Sequence, residues 1–416
     1  MRSPASPARS RGSVAELYSG RDNGIGLIRL VLAASVVISH SKPLGFGQSD
    51  MGRYAFAHQT NIASLAVYGF FVLSGLLITR SARRTSVVRY AWHRMLRILP
   101  GLWMCLLVTA LVVAPLVTLR EHGSLNGFWT GPGGPFDYLA ANWWTGVRQY
   151  GIHDLLVKTT PWGGHTGASV FDGALWSLVY EMLCYIVIGI LVVTGVLRSS
   201  RRFVLFLALS AYALIAMDYW RSPSWDGPVT GHYSAIVVPL LGGLSFLWIV
   251  YLGFLFLLGA VVDLYRERIP INDALGLGAA VITVGTLMLG GFFVLGFPAF
   301  AYLLIWLSVR MPRQLHWVGR KNDYSYGVYI YGFVGQQLFA SLGFNRWGFI
   351  PFVAMSLAGA FVAAYLSWHL IERHALGLKN WSPKLRSKRA VELPATEFVA
   401  EEPAVEPVLL LPGSQI

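Results

Sequence analysis

Five charged residues stand where their type and spacing could do chemistry. Arg29 and His40 lie in one apolar run, eleven positions apart. At about 100° per residue, eleven steps bring the two side chains within about 20° of each other around a helix, with about 16 Å between them along the axis. An imidazole so placed can take and return a proton near neutral pH. Arg94 and Arg97 belong to the stretch Arg89-Tyr90-Ala91-Trp92-His93-Arg94-Met95-Leu96-Arg97-Ile98-Leu99-Pro100. Three positions apart, they project from one face of a helix. Two neighbouring guanidiniums suit a phosphate-rich ligand, because each can bond phosphate oxygens in pairs. Glu181 follows Trp176-Ser177-Leu178 inside another apolar run, and a carboxylate there needs a partner. Plainer readings stand beside these. Arg29 can snorkel to headgroups, His40 can mark the end of a helix, Arg94 and Arg97 can be a basic flank without a ligand, and Glu181 can cap a pore.

The elements that must carry these residues are dictated by composition. Of 416 residues, 55% are hydrophobic and 13% charged; a soluble domain carries about 25% charged. Apolar runs fall near 24–41, 61–80, 98–119, 174–197, 202–220, 245–264, 273–290, 292–309, 325–342 and 348–372. Each is close to the roughly 20 residues that span a hydrocarbon core. The expected fold class is therefore an all-α integral membrane protein with about ten transmembrane helices. The stretch 233–265 exceeds one span and reads as a span plus a re-entrant piece. No internal repeat is visible.

The basic residues set the phase. With the N-terminus in the cytoplasm, 25 of the 33 Lys and Arg residues fall in cytoplasmic segments, 7 in outer segments, and Arg29 alone inside a span. Every cytoplasmic segment then obeys the positive-inside rule, so the expected orientation is N-in/C-in. Arg29, Arg94 and Arg97 fall at the cytoplasmic level and His40 toward the outside. Glu181, about two turns below the outer surface, comes near the level of His40. It is expected to orient and charge that imidazole.

The net charge of +13 would raise nucleic acid as a partner of a soluble protein. Here the basic residues flank apolar runs and read as topology signals and contacts with membrane lipids, so no nucleic acid is expected. Cys105 and Cys184 lie in apolar runs and read as small buried residues. No paired Cys-x-x-Cys, His-Glu-x-x-His or Gly-rich phosphate loop occurs, and no metal site is expected. Residues 1–20 and 376–416 read as disordered cytoplasmic tails flanking a membrane domain at 21–375. The outer stretch 120–173, rich in Gly, Trp and Pro, reads either as the lining of an outward pocket or as a connector with interfacial tryptophans.

Together these residues resemble acyltransferase family 3, a family of multi-pass membrane O-acyltransferases. The likeness rests on Arg29-x10-His40, Gly69-Phe70-Phe71-Val72-Leu73-Ser74-Gly75, Arg94-x-x-Arg97 with Ile98 and Pro100, Trp176-Ser177-Leu178 with Glu181, and Tyr324-Ser325-Tyr326-Gly327-Val328-Tyr329. The motifs keep the family's order across about residues 21–375. The resemblance implies transfer of an acyl group, commonly acetyl, from cytoplasmic acyl-CoA to a hydroxyl of an extracytoplasmic glycan, glycolipid or glycosylated metabolite, at the inner (plasma) membrane. It implies His40 and Glu181 as catalytic residues, and Arg29, Arg94 and Arg97 as donor-binding residues. One departure is visible: many members carry a histidine after the tyrosine-rich motif, where this chain has Gly332. A multi-pass transporter or flippase for a sugar or lipid-linked substrate is the alternative, although no inverted repeat supports it.

Overall fold

The computed structural model describes residues 11–18, 22–221, 235–238 and 241–380. Helices fall on all ten expected runs. They are α1 (Ile25–Phe46), α2 (Ile62–Ala82), α3 (Val87–His122), α4 (Ala174–Val193), α5 (Arg201–Arg221), α6 (Phe246–Leu264), α7 (Asp273–Leu289), α8 (Phe292–Arg310), α9 (Ser325–Ser341) and α10 (Phe349–Asn380). Eight of the described helices are long and apolar enough to cross a membrane; α7 and α9 have 17 residues each. The protein is a mostly helical, multi-pass membrane protein. A second unit begins at Asn380, and its remaining residues lie outside the described ones.

Capping residues account for several boundaries. The Asn61 side chain accepts from the Ser64 amide at 2.7 Å at the start of α2, and Asn272 does the same for Leu275 at the start of α7. Each satisfies an amide that the first turn leaves open. Gly47 and Gly123, both left-handed, end α1 and α3. Helix α3 begins eleven residues before its apolar run, so Arg94 and Arg97 ride on the same continuous helix as the span.

The tightest crossing joins α2 to α6. A β-carbon on Gly75 would stand 1.9 Å from the Phe256 carbonyl oxygen, and one on Gly259 would stand 2.0 Å from that of Val72. Two backbones can approach this closely only where both side chains are absent. Gly75 of the Gly-Phe-Phe motif is thus a packing residue.

Two short β-pairs complete the fold. Strands Ala235–Val238 and Gly242–Ser245 run antiparallel just before α6, in part of the stretch where a re-entrant piece was expected. Its residues 233–234 and 239–240 lie outside the described ones. Within the stretch expected to be an N-terminal tail, Arg11–Ser13 pairs antiparallel with Pro270–Asn272. A single helical turn, Val14–Leu17, follows; Ser13 and Glu16 cap it reciprocally. Val14 and Tyr18 are buried there, so these apolar residues dock a segment whose Arg, Ser and Pro content reads as a tail.

Candidate functional site

The three candidate arginines meet at one end of the bundle. Arg29 comes from α1, Arg94 and Arg97 from α3, and all three line a cavity of about 580 Å³. Arg97 is its centre. One of its Nη atoms donates to Asp323 Oδ2 at 2.6 Å, the other lies 4.0 Å from Glu372 Oε2, and the guanidinium sits 5.7 Å from the Tyr326 ring centre. Asp323 also faces Arg29 at 3.6 Å and accepts from the Ser325 hydroxyl at 2.5 Å. Burial works against ionisation of Asp323, but Arg29 and Arg97 outweigh it and hold its carboxyl down to about 2. Glu372 reaches inward from a π-helical turn, Trp368–Glu372, and the Ser367 hydroxyl fixes it at 3.0 Å. Such turns often mark functional positions in helices.

Arg94 is placed differently. Its guanidinium lies 5.7 Å from the Tyr185 ring centre, and its buried Nε has no hydrogen-bond partner among the described residues. Arg320, Lys321, Arg373 and Lys379 add four cations to the same wall. Among the described residues, seven cationic side chains thus face a cavity whose lining holds two carboxylates, Glu181 and Asp323. The surplus suits a multiply charged anion. Sequence reasoning missed the four added cations and Asp323. Asp323 directly precedes the tyrosine-rich motif, which was a signal available in the sequence.

Glu181 belongs to this cavity. Ser74 Oγ donates to its Oε1 at 3.1 Å, and the Tyr185 hydroxyl donates to the same oxygen at 2.5 Å. A narrow extension of about 40 Å³ continues from here between Phe70, Ser74, Ser177, Glu181, Tyr326 and Tyr329. The motifs that are far apart in sequence therefore converge on one passage. Hydroxyl contacts join residues of its wall: Tyr329 Oη lies 2.7 Å from Ser177 Oγ and donates to the Ala174 carbonyl at 2.6 Å.

His40 stands apart from this cluster. Its Nδ1 lies 3.6 Å from Asp50 Oδ1, and its ring meets Phe333 edge-on at 5.5 Å. The expected His40–Glu181 pair is not formed; the carboxylate beside the imidazole is that of Asp50. The reason lies in where Glu181 meets its neighbours. Its carboxylate accepts from Ser74, well inside α2, and lines the same cavity as Arg29 at the opposite end of α1 from His40. Asp50 is the sole acidic residue between Asp22 and Glu121, a signal that the sequence did carry.

The stretch 120–173 is built and not a bare connector. It holds the short helices Pro135–Asn142 and Pro161–Thr166. Asn142 binds it internally, accepting from the Arg148 and Gln149 amides and donating to the Gln149 carbonyl. The departure at Gly332 is also explained: a β-carbon there would meet Val37 Cγ2 at 2.6 Å, so α1 leaves no room for a histidine. Cys105 and Cys184 are free and buried.

Comparison with known proteins accords with this geometry. The chain is similar to an O-acetyl transferase of Shigella phage Sf6, 26% identical over 380 residues that cover 88% of this chain and 98% of that protein. It is similar to Nodulation protein 10 of Rhizobium leguminosarum bv. viciae, 28% identical over 386 residues, covering 88% and 96%. No solved structure matches it significantly. The acyltransferase domain of acyltransferase family 3 matches residues 22–369. With that match over most of its length, the chain belongs to this family and is a membrane acyltransferase.

Proposed function

We propose that the protein moves an acyl group, acetyl in the first instance, from acyl-CoA to a hydroxyl of an extracytoplasmic glycan, glycolipid or glycosylated metabolite, at the inner (plasma) membrane. The observation that carries this reading is the seven-cation cavity continuing into the narrow passage at Glu181. A nucleotide with several phosphates and a thin thioester arm has that shape and charge. Arg94, Arg97 and the surrounding cations would hold the phosphates, with Arg29 beside the arm. The passage ends near Tyr329. Phe333, one turn further along α9, touches His40. The arm would thus point from the cationic end toward the imidazole.

In this reading His40 acts as general base. It removes the proton of the acceptor hydroxyl as that oxygen attacks the thioester carbonyl. The carbon–sulfur bond then breaks, the acyl group stays on the acceptor oxygen, and the thiolate leaves with the CoA. Glu181, held by Ser74 and Tyr185, would serve at the donor arm, since it lies on that side. With the termini in the cytoplasm, the donor cavity opens inward and His40 faces outward, as the basic residues predict.

The test is acyl-CoA consumption by the purified protein with a glycan acceptor, read as free thiol. His40→Ala should abolish it while leaving acyl-CoA binding in place. Full transfer by a folded His40→Ala protein would remove His40 as the base. A transporter of the same fold would release no thiol at all.

A further inference from the structure

We propose that Asp50 is the positioning residue of His40, and that the outer pocket it lines admits the acceptor as a polyhydroxylated ring. This inference rests on the reading of His40 as the base. Three observations carry it. Asp50 Oδ1 is buried, has no hydrogen-bond partner among the described residues and lies 3.6 Å from His40 Nδ1. That separation is too long for a hydrogen bond but within ion-pair range, so a small rotation closes it. The alternative carboxylate, Glu181, is already engaged by Ser74 and Tyr185. Finally, the Asp50 side chain, 30% exposed, also borders a cavity of about 870 Å³ between the turn after α1 and the helix Pro161–Thr166.

A carboxylate on Nδ1 fixes the proton there and leaves the Nε2 lone pair to receive the acceptor's proton. The same residue therefore joins the base to the pocket. Lys42, Arg53 and His165 line that pocket, with the rings of Tyr54 and Trp162. Aromatic faces take the C–H face of a sugar ring, and charged groups take its hydroxyls. The outer stretch 120–173 contributes Trp162 and His165, which gives that stretch work at the acceptor side.

The experiment uses the full-length protein reconstituted in vesicles, with acetyl-CoA as donor and a soluble oligosaccharide as acceptor. Asp50→Asn should lower kcat by about 100-fold or more with KM for acetyl-CoA unchanged. Asp50→Glu should recover at least about a tenth of the wild-type rate. In a His40→Ala background, Asp50→Asn should cost nothing further, because the two act as a unit. Trp162→Ala should raise KM for the acceptor and leave that for acetyl-CoA alone. An Asp50→Asn protein within about twofold of wild type, while His40→Ala is inactive, would overturn the role of Asp50 alone. Loss of acetyl-CoA binding in Asp50→Asn would make Asp50 structural and overturn it too. An active His40→Ala would instead remove the base itself. An unchanged acceptor KM in Trp162→Ala would overturn the pocket.

Discussion

Arg97 donates to Asp323 at 2.6 Å, and this contact ties α3 to the segment that leads into α9. Arg29 of α1 shares the same carboxylate oxygen at 3.6 Å. Three elements are thereby fixed around the cationic cavity. Arg97 lines the cavity and is also bonded into this architecture, whereas Arg94 keeps a buried Nε without a partner among the described residues. The two arginines of one motif are therefore held differently.

That difference is measurable. Arg94→Ala should weaken acyl-CoA binding by about 10- to 100-fold, as loss of charge-assisted bonds to phosphate does, with the melting temperature nearly unchanged. Arg97→Ala should lower both, because it leaves Glu372 without its cation and Asp323 with Arg29 alone. Binding isotherms and thermal unfolding in detergent separate the two effects.

Asp323 predicts an acid limb. Its carboxyl is held down to about 2 from an ordinary 3.8. A carboxyl depressed in the folded state contributes stability that is full above the ordinary value and is lost as pH falls through the folded one. Thermal stability should therefore drop between pH 3.8 and about 2. Asp323→Asn should be less stable at neutral pH and show a flatter decline over that window.

The α2–α6 crossing predicts a contrast between glycines. Gly75→Ala or Gly259→Ala drives a methyl group into a carbonyl at about 2 Å and should cost at least about 1–3 kcal/mol, as overpacking does. Gly278→Ala meets nothing within 4 Å and should be neutral or slightly stabilising, since alanine favours a helix by about 1 kcal/mol over glycine. Folded yield after solubilisation reports the difference.

Gly332 predicts a rescue. Gly332→Ala should destabilise the α1–α9 contact through Val37, and adding Val37→Ala should recover part of the loss, because the two positions share one space. If Gly332→Ala alone unfolds at the wild-type temperature, the steric account of this position is wrong.

Much of this was legible in the sequence. Hydropathy located all ten helical segments because lipid demands long uninterrupted apolar runs. The motifs identified the residues that converge on the passage. What the sequence hid was depth. The position of Glu181 near the start of its run suggests the level of His40, but its carboxylate accepts from Ser74, well inside α2, and lines the cavity of Arg29. Lys321 and Arg373 were read only as basic flanks, since no local spacing reveals that α10 and the turn before α9 bring them to the same wall. The docking of Val14 and Tyr18 was equally hidden: a few apolar residues do not outweigh a Ser- and Pro-rich composition until their partners, 266–272 for the strand and Arg80 for Tyr18, are known.

That docking has a bearing on how the chain is made. Strand Arg11–Ser13 leaves the ribosome well before its partner: Pro270–Asn272 emerges only after the six helices α1 to α6. The Val14 and Ala15 amides, which end on the Ile269 and Arg266 carbonyls, must meanwhile be satisfied by water or by a chaperone. The pairing can therefore form only after α1 to α6 have been made, so a fusion placed before the strand would test assembly order and not only expression.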